Sequence, residues 1–182
     1  IWYEVDERAD SIALFSRLNI GKIPLTSSEL VKALFLGRGK DEVGDTLRRD
    51  EIALQWDSIE RQLHDAAFWG FLTNDLSSEY QTRIDLVLDL LAGKKPGERE
   101  KYYTFFHFQK KIQDGSLSLK DIWNDEILPA FLTLKDWFEN HDLYHKIGYL
   151  VTSGYVSLGK VFGLSHGKKK GEFEALLDEL IR

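Results

Sequence analysis

The chain has 182 residues, enough for one domain, and a chain of that length buries roughly 70% of the surface its unfolded form exposes. Its net charge of −6, with both signs interleaved, argues against a surface given over entirely to nucleic acid. Cysteine is absent, which excludes a disulfide framework, a thiolate zinc site and a cysteine nucleophile.

No apolar run approaches the about 20 residues a membrane-spanning helix needs, and the first residues, IWYEVDE, carry no basic signal-peptide region. A cytoplasmic protein with no membrane partner is therefore expected. Methionine is absent even at position 1, and the chain is expected to begin inside a longer protein.

In chain order, IWYEV (1–5) alternates and reads as one strand. A helix follows, with Ile12, Leu14, Phe15 and Leu18 on one broad arc. A connection holding Gly21, Lys22 and Pro24 leads to TSSELVKALFL, where Thr26 and Glu29 have the spacing of a capping box. GRGK (37–40) reads as a break. From about 41 to 73 one long helical pattern runs through Ile52, Trp56, Ile59, Leu63, Ala67 and Phe71.

TRIDLVLDLLAG is apolar nearly all round, with Asp85 and Asp89 placed on its solvent side and Gly93 ending it. EREKYYTFFHFQKKI reads as a helix whose rings spread around its axis, hence as core aromatics. Ser118, with Asp121 three residues on, opens the next helix, in which Pro129 marks a kink or a restart. LYHKIGYLV, SLGKVFGL and EFEALLDELI complete the series. The expected fold is mainly α: a multi-helix array with a strand left over at its N-terminus.

Few residues carry chemistry. GYVSLGK (154–160) has the glycine and lysine spacing of a P-loop, but Val161 stands where Ser or Thr would hold Mg²⁺, so Ser157 is read as a helix cap. His141 and His145 share a helix face, yet no Glu lies between them and no third ligand is evident, so no metal site is assigned. The basic clusters Lys94–Lys95, Lys110–Lys111 and Lys168 to Lys170 read as solvated helix ends and loops. No acid/base pair stands out, and no catalytic residue is assigned. Asn19 falls on the apolar arc at a helix end, where it needs partners, and Arg17 lies beyond that arc as either a solvated residue or a phosphate fork.

Phe15, Arg17, Asn19, Gly21, Pro24, Leu25, Thr26, Glu29 and Leu30 form F-x-R-x-N, a glycine loop, P-L and T-x-x-E-L. This pattern resembles the DGQQR-motif family that forms the N-terminal domain of GmrSD-type, modification-dependent restriction endonucleases. The helix ending in Phe68–Trp69, then TRIDLVLDLL, a W-F segment and LYHKIGYL extend the likeness over most of the chain. The resemblance implies a ParB/sulfiredoxin-like α/β core followed by a helical region, and hydrolysis of a nucleoside triphosphate (NTP, with Mg²⁺) coupled to cleavage of modified DNA. It also implies an HNH-type nuclease domain or subunit as partner.

The signature D-G-Q-Q-R does not occur in these residues and in relatives lies upstream of F-x-R-x-N. Residues 1–36 would then close the ParB-like core, with IWYEV its last strand, and 37–182 would be the helical domain. Arg17, Asn19 and Lys22 would edge the nucleotide site, and the fragment alone would be inactive. The alternative expectation is a non-catalytic helical protein-interaction module. A freestanding metallohydrolase using His141 and His145 is a third.

Overall fold

A computed structural model describes residues 25–37, 43–74, 80–114 and 118–182. The expected strand at 1–5, the helix through Ile12 and Leu18 and the Gly21 connection lie outside these residues. The described chain is helical throughout, with no strand among the described residues, in agreement with the mainly α expectation.

Helix α1 spans Ser27–Leu36 and starts on the capping box foreseen in the sequence. Thr26 Oγ1 accepts from the Glu29 N–H at 3.1 Å, and the Glu29 carboxylate accepts from the Thr26 N–H at 2.7 Å. Two N–H groups that the first turn would otherwise leave open are thereby satisfied. Val31 and Phe35 from this helix enter the core.

The single long helix expected over 41–73 is instead two, α2 (Val43–Leu63) and α3 (Ala66–Thr73). Asp65 causes the break. Its side chain accepts from the Phe68 N–H at 2.8 Å, so Asp65 acts as the N-cap of a new helix rather than continuing the old one. The break also shifts the buried face: Ile52, Trp56, Ile59 and Leu63 on α2 are buried as the pattern has them, but on α3 the buried residues are Phe68, Trp69 and Leu72, while Ala67 is exposed and Phe71 half-buried. Helix α3 ends with Asn74 in the left-handed region at φ 50°, a conformation Asn tolerates.

Helix α4 (Ile84–Ala92) occupies the middle of the array, touching α1, α2, α5 and α6, with Ile84, Val87 and Leu88 fully buried. Gly93 ends it at φ 65°, as its position predicts. Helix α5 (Tyr103–Gln113) buries Phe105 and Phe108 but leaves Phe106 exposed, so its rings are mainly core and form no continuous stacking face.

The Ser118 capping box is present and opens α6. This helix runs as Leu119–Asp121, passes through a π-helical stretch at Ile122–Ile127, and continues as Leu128–Glu139. Pro129 explains the irregularity. Proline has no N–H for the carbonyl four residues back and its ring crowds that carbonyl. The wider π turn, in which the Leu128 N–H bonds the Trp123 carbonyl, takes up the mismatch just before the proline. The helix therefore stays continuous where a kink or restart was expected.

Helix α6 also carries aromatic contacts to most of its neighbours. Trp123 stacks on Trp56 of α2 at 5.9 Å, meets Phe35 of α1 edge-on, and its indole N–H donates to Gln55. Phe131 packs on Phe68, and Phe138 on Phe68 and Phe71. Trp137 stacks on Phe173 at 5.4 Å. That last ring belongs to α9 (Lys170–Ile181), which packs with α7 (His141–Thr152) and is preceded by the short α8 (Leu158–Ser165).

Trp123 joins three helices through one ring system. Replacing it with Ala leaves a large void and is expected to cost about 3–5 kcal/mol. Urea denaturation measures this, and a loss below about 1 kcal/mol would show that the Trp56–Trp123–Phe35 cluster does not hold α1 and α2 to α6.

Candidate functional site

The site residues expected from the sequence, Arg17, Asn19 and Lys22, lie outside the described residues. The adjoining end of the same motif is described, and it is tied down. Ser28 is 1% exposed, and its N–H donates to Asp85 Oδ1 on α4 at 2.9 Å. Its hydroxyl lies 2.5 Å from Thr82 Oγ1, and Thr82 in turn donates to Asp85 Oδ2 at 2.5 Å. Ser27 reaches the Lys101 carbonyl at 3.4 Å.

Asp85 and Asp89 therefore do not face solvent. Asp85 is 9% exposed and sits against the N-terminus of α1, where open N–H groups and the helix dipole favour a negative charge. Asp89 accepts from the Thr104 hydroxyl of α5 and pairs with Lys94 Nζ at 3.2 Å. The sequence did hold a signal for this. A helix apolar nearly all round has no wet side, so carboxylates on it must be buried against donors.

Burial is the main influence on Asp85 and raises its carboxyl above the ordinary range, against the lowering effect of the Thr82 and Ser28 hydrogen bonds. The nearby Asp89 charge raises it further. Desolvation likewise raises Glu60, whose carboxylate accepts from the Ile84 N–H at 3.4 Å. The Tyr80 phenol is pushed up to about 12, by burial first and then by Asp89 and Asp85. Around the buried Asp85, Ser28 and Thr104, the half-buried Glu60, Thr82 and Asp89 complete a polar seam between α1, α2, α4 and α5. The Ser28–Asp85, Ser28–Thr82, Glu60–Ile84 and Asp89–Thr104 bonds run between elements, so the seam fastens helices.

A cavity of about 680 Å³ lies elsewhere, between α6, the C-terminal end of α4 and the α8–α9 connection. Trp137, Phe162 and Phe173 form an aromatic floor. Asp125, Glu126 and Asp136 come from α6, Lys111 from α5, and Lys168 and Lys170 from the α8–α9 connection and the start of α9. Two of the three basic clusters in the sequence thus reach one groove, but acids meet them there. Lys111 Nζ is 2.5 Å from Glu126, and Lys170 Nζ is 3.9 Å from Asp136. With charges balanced, the groove suits a ligand bearing both signs or none, and gives no excess positive field for a phosphate chain.

The P-loop-like stretch is a helix start, as expected: Ser157 Oγ accepts from the Lys160 N–H at 3.2 Å and caps α8. His141 and His145 lie on the first turn and a half of α7 and are exposed. Among the described residues no group of three His, Cys, Asp or Glu side chains is placed to hold a metal ion. Also among those residues, no helix is long and apolar enough to cross a membrane. Comparisons with protein-family models, curated proteins and solved structures find no match for this chain.

Two outcomes follow from the seam and the groove. At pH 7, Asp85→Ala strands the Ser28 N–H and the Thr82 hydroxyl and is expected to cost about 2–3 kcal/mol, whereas Asp85→Asn keeps an acceptor and stays within about 1 kcal/mol. A raised native pKa means that the folded state holds the proton more tightly. The contribution of Asp85 is then full below the unfolded value of about 3.9 and is lost as pH rises through the native value. Urea melts should therefore show Asp85→Asn gaining on the wild type as pH rises from about 4 to 7, and parallel curves would refute it. For the half-buried Lys111–Glu126 pair, a double-alanine cycle should give a coupling of about 1 kcal/mol, at the upper end for surface pairs. A coupling near zero would remove the pair as a fixed wall of the groove.

Proposed function

We propose that this chain is the helical portion of an NTP-dependent, modification-sensing restriction or phage-defence protein of the GmrSD type. In this reading the helices hold the F-x-R-x-N segment against a nucleotide-binding core that the parent protein supplies. Arg17, Asn19 and Lys22 edge the nucleotide, and DNA cleavage falls to an HNH-type nuclease domain or subunit. The fragment by itself is inactive.

The observation that carries this reading is the anchoring of the motif's C-terminal end. Leu25 to Leu30 is the part of the family pattern that falls among the described residues. There Thr26 and Glu29 close a capping box, and Ser28 is bonded into the Asp85–Thr82 seam. A segment that presents side chains to phosphate needs such a fixed end, because positioning errors of about 1 Å cost on the order of 10²-fold in rate. The balanced charge of the groove also supports a division of labour, with phosphate chemistry outside the described helical array.

A second reading, a helical protein-interaction module, is favoured by Tyr149 and Tyr155. Their rings lie 6.3 Å apart and they are 50% and 70% exposed. Aromatic side chains of this kind anchor protein interfaces.

The deciding measurement is NTP turnover by the full-length protein with modified and unmodified DNA. Arg17→Ala and Asn19→Ala are each expected to lower turnover by on the order of 10²-fold, as loss of a charge-stabilising donor does. Turnover equal to wild type in both variants would sink the site assignment. A wild-type protein with no turnover on any modified DNA, but with salt-insensitive capture of a protein partner through Tyr149 and Tyr155, would establish the second reading instead.

A further inference from the structure

Two imidazoles at the start of α7 face each other. His145 Nε2 and His141 Nε2 are 3.2 Å apart, with ring centroids at 4.4 Å and planes inclined by 66°. The rings are four residues apart on one helix, so a single turn brings them together without help from the rest of the fold. That turn is itself fixed. Asn140 Oδ1 caps it by accepting from the Leu143 N–H at 3.1 Å, while Leu143, Ile147 and Leu150 bury the opposite face.

The separation has a chemical meaning. Late first-row divalent cations bind imidazole nitrogen at about 2.0–2.1 Å. Two such bonds to nitrogens 3.2 Å apart enclose an angle of about 100°, between the octahedral and tetrahedral values. The separation is therefore one that two ligands of a single ion adopt. Asp142 Oδ1 lies 3.5 Å from His141 Nδ1, on the far side of that ring from His145. A carboxylate there favours the proton on Nδ1 and leaves Nε2 free as a ligand, the outer-shell arrangement common around metal-binding histidines.

We propose that His141 and His145 form a two-histidine chelate for a late first-row divalent cation such as Zn²⁺ or Ni²⁺. Both rings are solvent-exposed, with the His141 side chain 83% accessible, so a cation reaches the pair directly. No third carboxylate, cysteine or imidazole joins them among the described residues. Water or an added anion fills the remaining positions, and the bound ion keeps exchangeable sites. The inference is independent of any nucleotide chemistry in the parent protein.

Titration calorimetry of the full chain with Zn²⁺ alone, and separately with Ni²⁺ alone, tests it. One saturable ion per chain is expected. His141→Ala and His145→Ala should each weaken binding by on the order of tenfold or more, since each removes one of two ligands. His107→Ala, remote on α5, should bind as wild type does. Far-UV circular dichroism should be unchanged in the two α7 variants, because neither ring is part of the core. Absence of saturable binding, or binding that survives in the His141→Ala/His145→Ala double variant, would overturn the proposal.

Discussion

The first turn of α4 is where the fold is fastened. Three helix ends exchange caps there. Asp85 accepts from the N-terminal amide of Ser28 on α1, and Glu60 of α2 accepts from the amide of Ile84 at the N-terminus of α4. Arg83 returns the exchange by donating to the Leu63 carbonyl at the end of α2 at 2.7 Å, with its guanidinium over the Trp69 ring. A helix end left open in an apolar setting strands its backbone groups, and here the open groups of three helices satisfy one another. The arrangement requires Asp85 to be buried and Glu60 half-buried, and desolvation raises both carboxyl groups.

Around this junction α6 distributes the hydrophobic contacts. Its rings point to α1 and α2 through Trp123, to α3 through Phe131 and Phe138, and to α8 and α9 through Trp137. Each contact adds large apolar area with defined ring geometry, so the orientation of one helix constrains several others. The π stretch before Pro129 belongs to this design. It keeps Ile122, Trp123 and Ile127 buried while the helix continues past a residue that would otherwise end it.

Local chemistry was the most legible part of the sequence. The capping boxes at Thr26 and Ser118, the Ser157 cap and the Gly93 stop each depend on a few neighbouring residues, and each appears as written. What depends on distant residues was not legible. The break at Asp65 hid because Ala67 and Phe71 happen to continue the apolar spacing of α2, although α3 buries Phe68, Trp69 and Leu72 instead. Asp85 and Asp89 were placed on a solvent face because helical periodicity says which residues share a side but not what lies opposite. The donors opposite them, Ser28 and Thr104, are 57 and 15 residues away in sequence. The balanced groove was hidden for the same reason: Lys111 and Lys170 read as solvated ends until Glu126 and Asp136 are seen beside them.

The buried Asp85 has a mechanical implication for the segment before it. Its charge is offset by the amide of Ser28 and the hydroxyl of Thr82, and no cation pairs with it among the described residues. Were α1 to peel away, the carboxylate would keep its low-polarity surroundings and lose a donor at the same moment. Partial withdrawal is thus penalised early, before any new solvation is gained. The Ser28–Asp85 bond therefore resists partial withdrawal of the start of α1 as firmly as it holds the seated position.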